Sequence, residues 1–327
     1  MAYSHFIGVD ISKSHLDFAH LCSQQPSFAI EPCSNTQNAI IKALQPLLGS
    51  LSKVLVCAEF TGMYSYNLML ACQNLNIDLW LENPAQIKHS TGIQRGKNDP
   101  LDARRIAEYA QRFTDRVRLV GVEQKSMEHL RYLISERRLL VADRAKYKAQ
   151  LGDQQGHMPQ ELFEQKALRL RRLIASFDEP IAQIEQQIQT CITASSELDT
   201  HYKLLQSVPG VGPRLALHML LATGAFSKIT DPRKLCCHAG IAPFAYHSGI
   251  NTSSRARVSH KADKQLKSLL HLAALSVVAR PGELQTYYRR KVEQGKPKMS
   301  ALNAVRSKLV HRMFSVVKRQ QPYSLTY

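Results

Sequence analysis

Long apolar runs are missing from this 327-residue chain: the longest, around Leu269 to Ala279, is too short to span a bilayer, so no membrane segment is expected. Met1 to His5 has no basic stretch followed by an apolar one, so a secretory leader is not expected. No Cys-x-x-Cys pair occurs among the seven cysteines. Their odd number and the adjacent Cys236 and Cys237 argue against a disulfide framework or a zinc knuckle, and for reduced thiols in a cytoplasmic protein. Acidic residues are scarce in one part only. Residues 1–115 carry nine Lys/Arg and ten Asp/Glu, a net of −1, whereas residues 116–327 carry 34 and 16, a net of +18. A basic surface of that asymmetry calls for a polyanionic partner, and nucleic acid is the first candidate.

What is present suits a folded protein of two or three domains, with 44% hydrophobic and 21% charged residues. Phe6 to Asp10 and Val54 to Glu59 read as buried strands that each end in an acid, and Ile77 to Leu81 reads as a third. Leu16 to Leu21 and Ser27 to Ile30 fit a meander beyond the turn Ser12-Lys13-Ser14. Asn35 is placed to cap a helix over Thr36 to Leu48, with Ile40, Leu44 and Leu47 inward and Pro46 kinking it or ending it early. Tyr64 to Leu75 looks helical, and Asn83 to Asn98 reads as a loop. Alternating strands and helices predict an α/β sheet over residues 1–112, whose strand C-terminal ends form the usual ligand crevice.

The chain is organised around Lys97-Asn98-Asp99-Pro100-Leu101-Asp102-Ala103, followed by a helix to Phe113 with Ile106, Tyr109 and Ala110 on its inner face. An Asp, a Pro and a second acid three residues on make a good helix start without any chemistry. The same spacing points both carboxylates one way, and hard oxygen ligands so placed suit Mg²⁺ or Mn²⁺. Asp10 and Glu59, carboxylates at strand ends that would be costly if buried alone, favour a shared metal cage over four unrelated acids.

Three segments resemble motifs of one family: Gly8-Val9-Asp10-Ile11-Ser12-Lys13 through Asp17, Glu59-Phe60-Thr61-Gly62-Met63-Tyr64, and Lys97 to Ala103. It is the DEDD transposase family of bacterial insertion sequences, which includes the pilin-gene-inverting recombinases. The resemblance implies a RuvC-like (RNase H-type) N-terminal domain, with a catalytic metal-binding tetrad on Asp10, Glu59, Asp99 and Asp102. Phe60 stands where alanine is more usual.

Further along, Met127, Leu130, Leu133, Ile134 and Val141 stripe one helix, and Phe177, Ile181, Ile184, Ile188 and Cys191 repeat as a heptad seam. Gly152 to Pro159 would turn between two long helices, with Pro180 interrupting the second. Core packing within one chain and a protomer interface both explain the seam; the family's coiled coil favours the interface. Ser207-Val208-Pro209-Gly210-Val211-Gly212-Pro213 looks like a helix-hairpin-helix turn that offers Gly210 and Gly212 backbone to a phosphate, or else a plain Gly-rich turn. Ala239 to Pro243, then Ser248-Gly249 and the basic Arg255, Arg257, His260, Lys261 and Lys264, match the family's C-terminal motif. By that match Ser248 is the second catalytic residue, while Arg255, Arg257, Lys261 and Lys264 hold nucleic acid. Asp263 departs from a common glycine. Ser300 to Val317 forms an amphipathic helix with Leu302, Val305, Leu309, Val310 and Met313 inward and Arg306, Lys308 and Arg312 outward.

The expectation is a RuvC-like catalytic domain at 1–115, a helical coiled-coil assembly region at 116–198, and a mostly α transposase domain at 199–327. The enzyme would be a DNA recombinase using a metal site plus a serine nucleophile, in a homo-oligomer (dimer or tetramer), cytoplasmic and nucleoid-associated. A structured guide RNA is a further partner that the resemblance implies. A RuvC-like junction-resolving endonuclease, using the four acids without the serine, is the alternative.

Overall fold

A computed structural model describes residues 3–22, 30–48, 53–90, 99–120, 124–242 and 262–324, with side chains from residue 127 onward in the helix that begins at Gln124. The chain divides into two compact units, Met1–Gln124 and Lys125–Tyr327. In the first, the order is β1 (His5–Ile11), β2 (His15–Cys22), β3 (Cys33–Ser34), α1 (Gln37–Leu48), β4 (Val54–Glu59), α2 (Tyr66–Asn74), β5 (Asp78–Glu82), α3 (Pro84–Ser90) and α4 (Asp99–Arg112). The sheet order is β3-β2-β1-β4-β5. β1, β2 and β3 are antiparallel neighbours, while β4 runs parallel to β1 and β5 parallel to β4. Ile7, Val9, Val56 and Leu79 bury one sheet face in a core with Ile40 and Leu44 of α1 and Leu68 of α2. Phe6, Leu55, Cys57 and Trp80 bury the other face with Ile106, Tyr109 and Ala110 of α4. Every inner position is thus a period-two choice of face, which is why both faces of the sheet read as apolar in the sequence.

Four expectations change here. The third strand is Cys33–Ser34; the segment 27–29 lies outside the described residues, and Ile30 is buried but not in a strand. Asn35 does not cap α1, which begins at Gln37: its Nδ2 donates to the carbonyls of Ser12 (2.9 Å) and Tyr64 (3.0 Å), tying the β1–β2 turn to the short 3-10 helix Gly62–Ser65. Pro46 does not end α1, which continues to Leu48. The segment 83–98 is not all loop, since α3 occupies Pro84–Ser90; Pro at the first helical position and the Asn83 Oδ1 that accepts from Ala85 N (2.9 Å) start it.

The second unit is helical: α5 (Gln124–Asp153), α6 (Gln160–Ser176), α7 (Asp178–Thr193), α8 (Ser196–Gln206), α9 (Pro213–Thr223), α10 (Pro232–His238), α11 (Lys264–Val278), α12 (Glu283–Glu293) and α13 (Lys298–Arg319). The break between α6 and α7 falls at Phe177, because the Pro180 ring excludes a hydrogen bond to the carbonyl four residues back, at Ser176. The heptad seam is closed inside the chain. α7 runs antiparallel to α5, joined by the ion pairs Arg137–Glu185 (2.5 Å) and Arg144–Asp178, the stacked rings of Tyr147 and Phe177, and a contact between Cys191 and His129. Ile184 and Ile188 are buried in one core with Leu130 and Leu133, so the seam needs no second protomer to cover it. Leu302, Val305, Leu309, Val310 and Met313 face that same core, as their spacing predicts. Among the described residues no helix is long and apolar enough to cross a membrane.

Candidate functional site

β1 and β4 are parallel and pair Val9 with Ala58, so the next residues, Asp10 and Glu59, are neighbours at the strands' C-terminal ends. The β1–β2 hairpin sets Asp17 opposite Asp10, and the β4–β5 pair sets Glu82 beside Glu59. Paired residues share a sheet face, so Asp17, Asp10, Glu59 and Glu82 form a row of four carboxylates across four strands, one strand spacing of about 4.8 Å apart. It lies on the face that α4 covers, because Phe6 and Cys57, two strand residues or a multiple of two away, are packed there with Ile106 and Tyr109.

Gly8 brings α4 in. A Cβ at that position would lie 2.1 Å from the carbonyl oxygen of Ala103 and 2.3 Å from the backbone nitrogen of Ala107, so only glycine lets the helix backbone touch β1. With Ala103 seated there, the first turn of α4 hangs over the end of β1, carrying Asp99 and Asp102. The result is electrostatic: burial pushes the Asp10 carboxyl up from its ordinary value, and the charges of Asp102, Asp99 and Asp17 push it further. His15 Nε2 lies 3.4 Å from an Asp17 oxygen and 3.8 Å from one of Asp99, and these three groups are close enough to share an ion. The hydroxyls of Ser12 and Ser14, each 3.1 Å from His15 Nδ1, fix the ring. Arg105 Nη1 donates to Asp102 Oδ1 at 2.5 Å. Glu82 is held by the Tyr109 hydroxyl (3.3 Å) and by Asn83 N (2.6 Å); burial and that carboxylate together push the Tyr109 phenol up to about 12.

Asp10, Asp99 and Asp102 thus act on one another, and Glu59 stands one strand over from Asp10. The donor set is hard oxygen with one imidazole, and its mutual repulsion is what a divalent cation relieves, so these residues fit Mg²⁺ or Mn²⁺. Sequence reasoning missed His15, Asp17 and Glu82. Asp17 was within reach: a hairpin turning at Ser12-Lys13-Ser14 necessarily opposes residues 10 and 17.

In the second unit, Ser248, Arg255, Arg257 and Lys261 lie outside the described residues. Gly210 has φ +85° and its Cβ would sit 2.3 Å from Val277 Cγ1, so this glycine serves the docking of the α8–α9 turn against α11. Gly212 faces open space at the N-terminus of α9, followed by Pro213 at the first helical position. Lys264 opens α11 and is exposed; Asp263, whose carboxylate accepts from Gln265 N (3.0 Å) and Leu266 N (2.9 Å), is the helix cap, which accounts for an acid at that position.

Arg306 is a correction. It is 3% exposed, not directed to solvent or phosphate, and its guanidinium contacts Asn303 Oδ1 (2.7 Å) and His271 Nδ1. Position 306 adjoins 302, 305, 309 and 310 on the α13 surface and is drawn into the apolar face with them. Desolvation lowers the pKa of Arg306, and desolvation with the guanidinium charge lowers that of His271.

Two family models match this chain: one described as a transposase, over residues 7–154, and one described as the transposase IS116/IS110/IS902 family, over residues 202–289. The pilin gene-inverting protein of Moraxella bovis is 25% identical, the match covering 97% of both chains. That of Moraxella lacunata is likewise 25% identical over 97% of each. An uncharacterized 44.8 kDa protein of insertion element IS116 from Streptomyces clavuligerus is 24% identical over 47% of this chain and 38% of its own length.

Proposed function

Because the chain belongs to the IS116/IS110/IS902 transposase family and is an enzyme of DNA transposition or recombination, we propose that it cuts and rejoins DNA through a metal-holding tetrad, Asp10, Glu59, Asp99 and Asp102, and a serine nucleophile, Ser248. The observation that carries this reading is the meeting of the α4 first turn with the carboxylate row at the sheet's C-terminal edge. The sheet order, a three-strand antiparallel meander continued by two parallel strands, supports the RuvC-like assignment. A bound Mg²⁺ or Mn²⁺ would polarise the scissile phosphate and offset charge on the oxygens that exchange there.

The chain's own residues do the rest. Asp10, its pKa raised by burial and then by the charges of Asp102, Asp99 and Asp17, is a carboxyl whose ionised form a bound cation would favour. Arg105 and the Ser12/Ser14 pair orient Asp102 and His15. The Ser248 oxygen bonds to phosphorus as its proton leaves and the bond to one deoxyribose oxygen breaks, that oxygen taking a proton. Attack by a DNA hydroxyl on the phosphoserine reverses these steps, so bond energy is conserved for rejoining. The +18 region grips nucleic acid, with Gly210 and Gly212 as a helix-hairpin-helix turn and Arg255, Arg257, Lys261 and Lys264 on phosphates. A structured guide RNA and a dimeric or tetrameric assembly complete the reading, with residues 1–115 catalytic, 116–198 for assembly and 199–327 carrying the serine.

The test is a trapped covalent adduct. Wild-type protein with a cognate DNA should yield protein attached to DNA, and Ser248→Ala should yield none while staying folded. Cutting that survives Ser248→Ala at the wild-type rate would leave a nuclease that uses the acids and water.

A further inference from the structure

The basic side chains of the second unit fall into two kinds. Arg137, Arg144, Lys146 and Lys203 are each spent on a carboxylate of a nearby helix or turn. Among the described residues those of α12 and the second half of α13 are not, Arg312 apart. Lys308, Arg312 and Arg319, four and seven residues apart, form one stripe along α13, which at about 1.5 Å per residue spans about 16 Å. They line an open cleft of about 360 Å³ with His311, Tyr323 and Glu283. Among the described residues Glu283 is the single acid lining it, and Arg312 already contacts that carboxylate.

Aromatic rings hold the cations in place. Lys308 Nζ lies 4.6 Å from the centre of the Tyr287 ring, and Arg290 and Lys291 approach the same ring at 5.6 and 5.7 Å. Arg312 sits 5.1 Å over Tyr323. Among the described residues no ion pair joins Arg290, Lys291, Lys308 or Arg319 to a carboxylate. Three like charges gathered on one tyrosine repel one another, and the ring contact fixes their geometry without neutralising them. An anion with repeated charges is the remaining source of compensation. Guanidinium forks beside an ammonium suit phosphate oxygens, and a stripe of about 16 Å matches several consecutive phosphates of a strand.

We propose that the cleft between α12 and α13 is a phosphodiester-binding site, separate in sequence from Ser248, in which Lys308, Arg312 and Arg319 track a nucleic-acid backbone and Arg290 and Lys291 extend the track around Tyr287. This rests on the reading of the chain as a nucleic-acid enzyme. Duplex DNA and folded RNA present the same phosphodiester chemistry, so the experiment carries both.

Fluorescence anisotropy of the full chain is measured with a labelled DNA duplex and, separately, a labelled RNA hairpin, across a salt series. The variant R290Q/K308Q/R319Q keeps polar side chains and removes three cations that make no ion pair among the described residues. The control R104Q/K146Q/K203Q removes three cations that are ion-paired. For whichever nucleic acid occupies the cleft, the patch variant should bind at least about tenfold more weakly at ~0.1 M salt, with the log–log salt slope falling by about two to three. The control should change binding less than about twofold, and unchanged thermal melting should show both variants folded. Equal losses in patch and control, or no loss in the patch variant for either probe, would overturn the proposal while leaving the enzyme reading intact. Competition by polyglutamate as strong as by unlabelled duplex at equal charge would overturn it in favour of an acidic protein partner. Wild-type protein that binds neither probe would remove both readings together.

Discussion

The two units handle like charges in opposite ways. The first draws acids together: a row of strand-end carboxylates meets two more from α4, and Asp10 is left harder to ionise. The second gathers cations on helix surfaces and around Tyr287, and buries Arg306 against His271 and Asn303, with no carboxylate in contact among the described residues. Both arrangements cost stability in the protein by itself, and both would be relieved by a partner of opposite sign, a small multivalent cation in one case and a polyanion in the other. Accumulated repulsion that the fold itself does not discharge separates places where something binds from places where charges merely solvate a surface.

The largest expected effect breaks the comparison on the acidic side. Asp10→Asn should lower DNA cleavage by about 10³-fold or more, the scale of losing one member of a group that acts as a unit. The same change should raise the denaturation midpoint in EDTA, since the raised Asp10 pKa means that its charged form opposes folding. The sign follows from linkage: a carboxyl whose folded-state pKa lies above its unfolded value contributes stability at low pH and loses it as pH rises through the folded pKa. Divalent cation should stabilise the wild type more than Asp10→Asn. A variant as active as wild type, or one that melts lower in EDTA, would remove Asp10 from the site.

Next is the contact that assembles the acids. Gly8→Ala forces a Cβ against the backbone of Ala103 and Ala107, neither of which can swing aside as a flexible side chain would. Overpacking of that kind costs about 1–3 kcal/mol, read as a lower denaturant midpoint, and displacement of α4 should take cleavage down with it. Gly152→Ala is the contrast: nothing lies within 4 Å of a Cβ there, near the end of α5, so stability should hold or rise by up to about 1 kcal/mol. Similar losses in the two variants would mean that Gly8 is no special contact.

Much of the first unit was legible because its signals are local. Apolar runs ending in Asp10 and Glu59 are strands, and the Asp99-Pro100 start of α4 is visible as a cap and a charge pair. Less visible was what strand pairing adds. The sheet sets Asp17 and Glu82 on the same row as Asp10 and Glu59, and Glu82 gets there only through the β4–β5 register, which no local pattern states. In the second unit the inner face of α13 was legible for its aliphatic members, whereas Arg306 was misassigned because polarity was taken to decide direction. Helix geometry decided instead, and His271 on another helix supplied the acceptor. The seam on α7 was legible as a seam but not in its partner, since heptad spacing says that a face is covered without saying by which helix.

The smallest expected effect sharpens the comparison through pH. In the second unit burial lowers the pKa of His201, His218 and His271 from an ordinary 6.5. Different neighbours modulate each: Glu197 opposes the shift at His201, Asp263 opposes and Arg138 reinforces it at His218, and Arg306 reinforces it at His271. For such groups the unfolded chain binds more protons than the folded one just below pH 6.5, so stability rises with pH there, is fully present above 6.5, and is lost as pH falls towards the folded pKa values. The urea midpoint should therefore be lower at pH 5 than at pH 7.5. Replacing His271 by Gln removes a titrating group while keeping an acceptor for the Arg306 guanidinium, and should flatten that pH dependence at modest cost at pH 7.5. Asp10 works the other way, so the His271 contribution is read most cleanly in an Asp10→Asn background, where the acidic site no longer offsets it. A pH dependence unchanged by His271→Gln in that background would show that the imidazole titrates alike in the folded and unfolded chains over this range, leaving His271 a packing partner of Arg306 and nothing more.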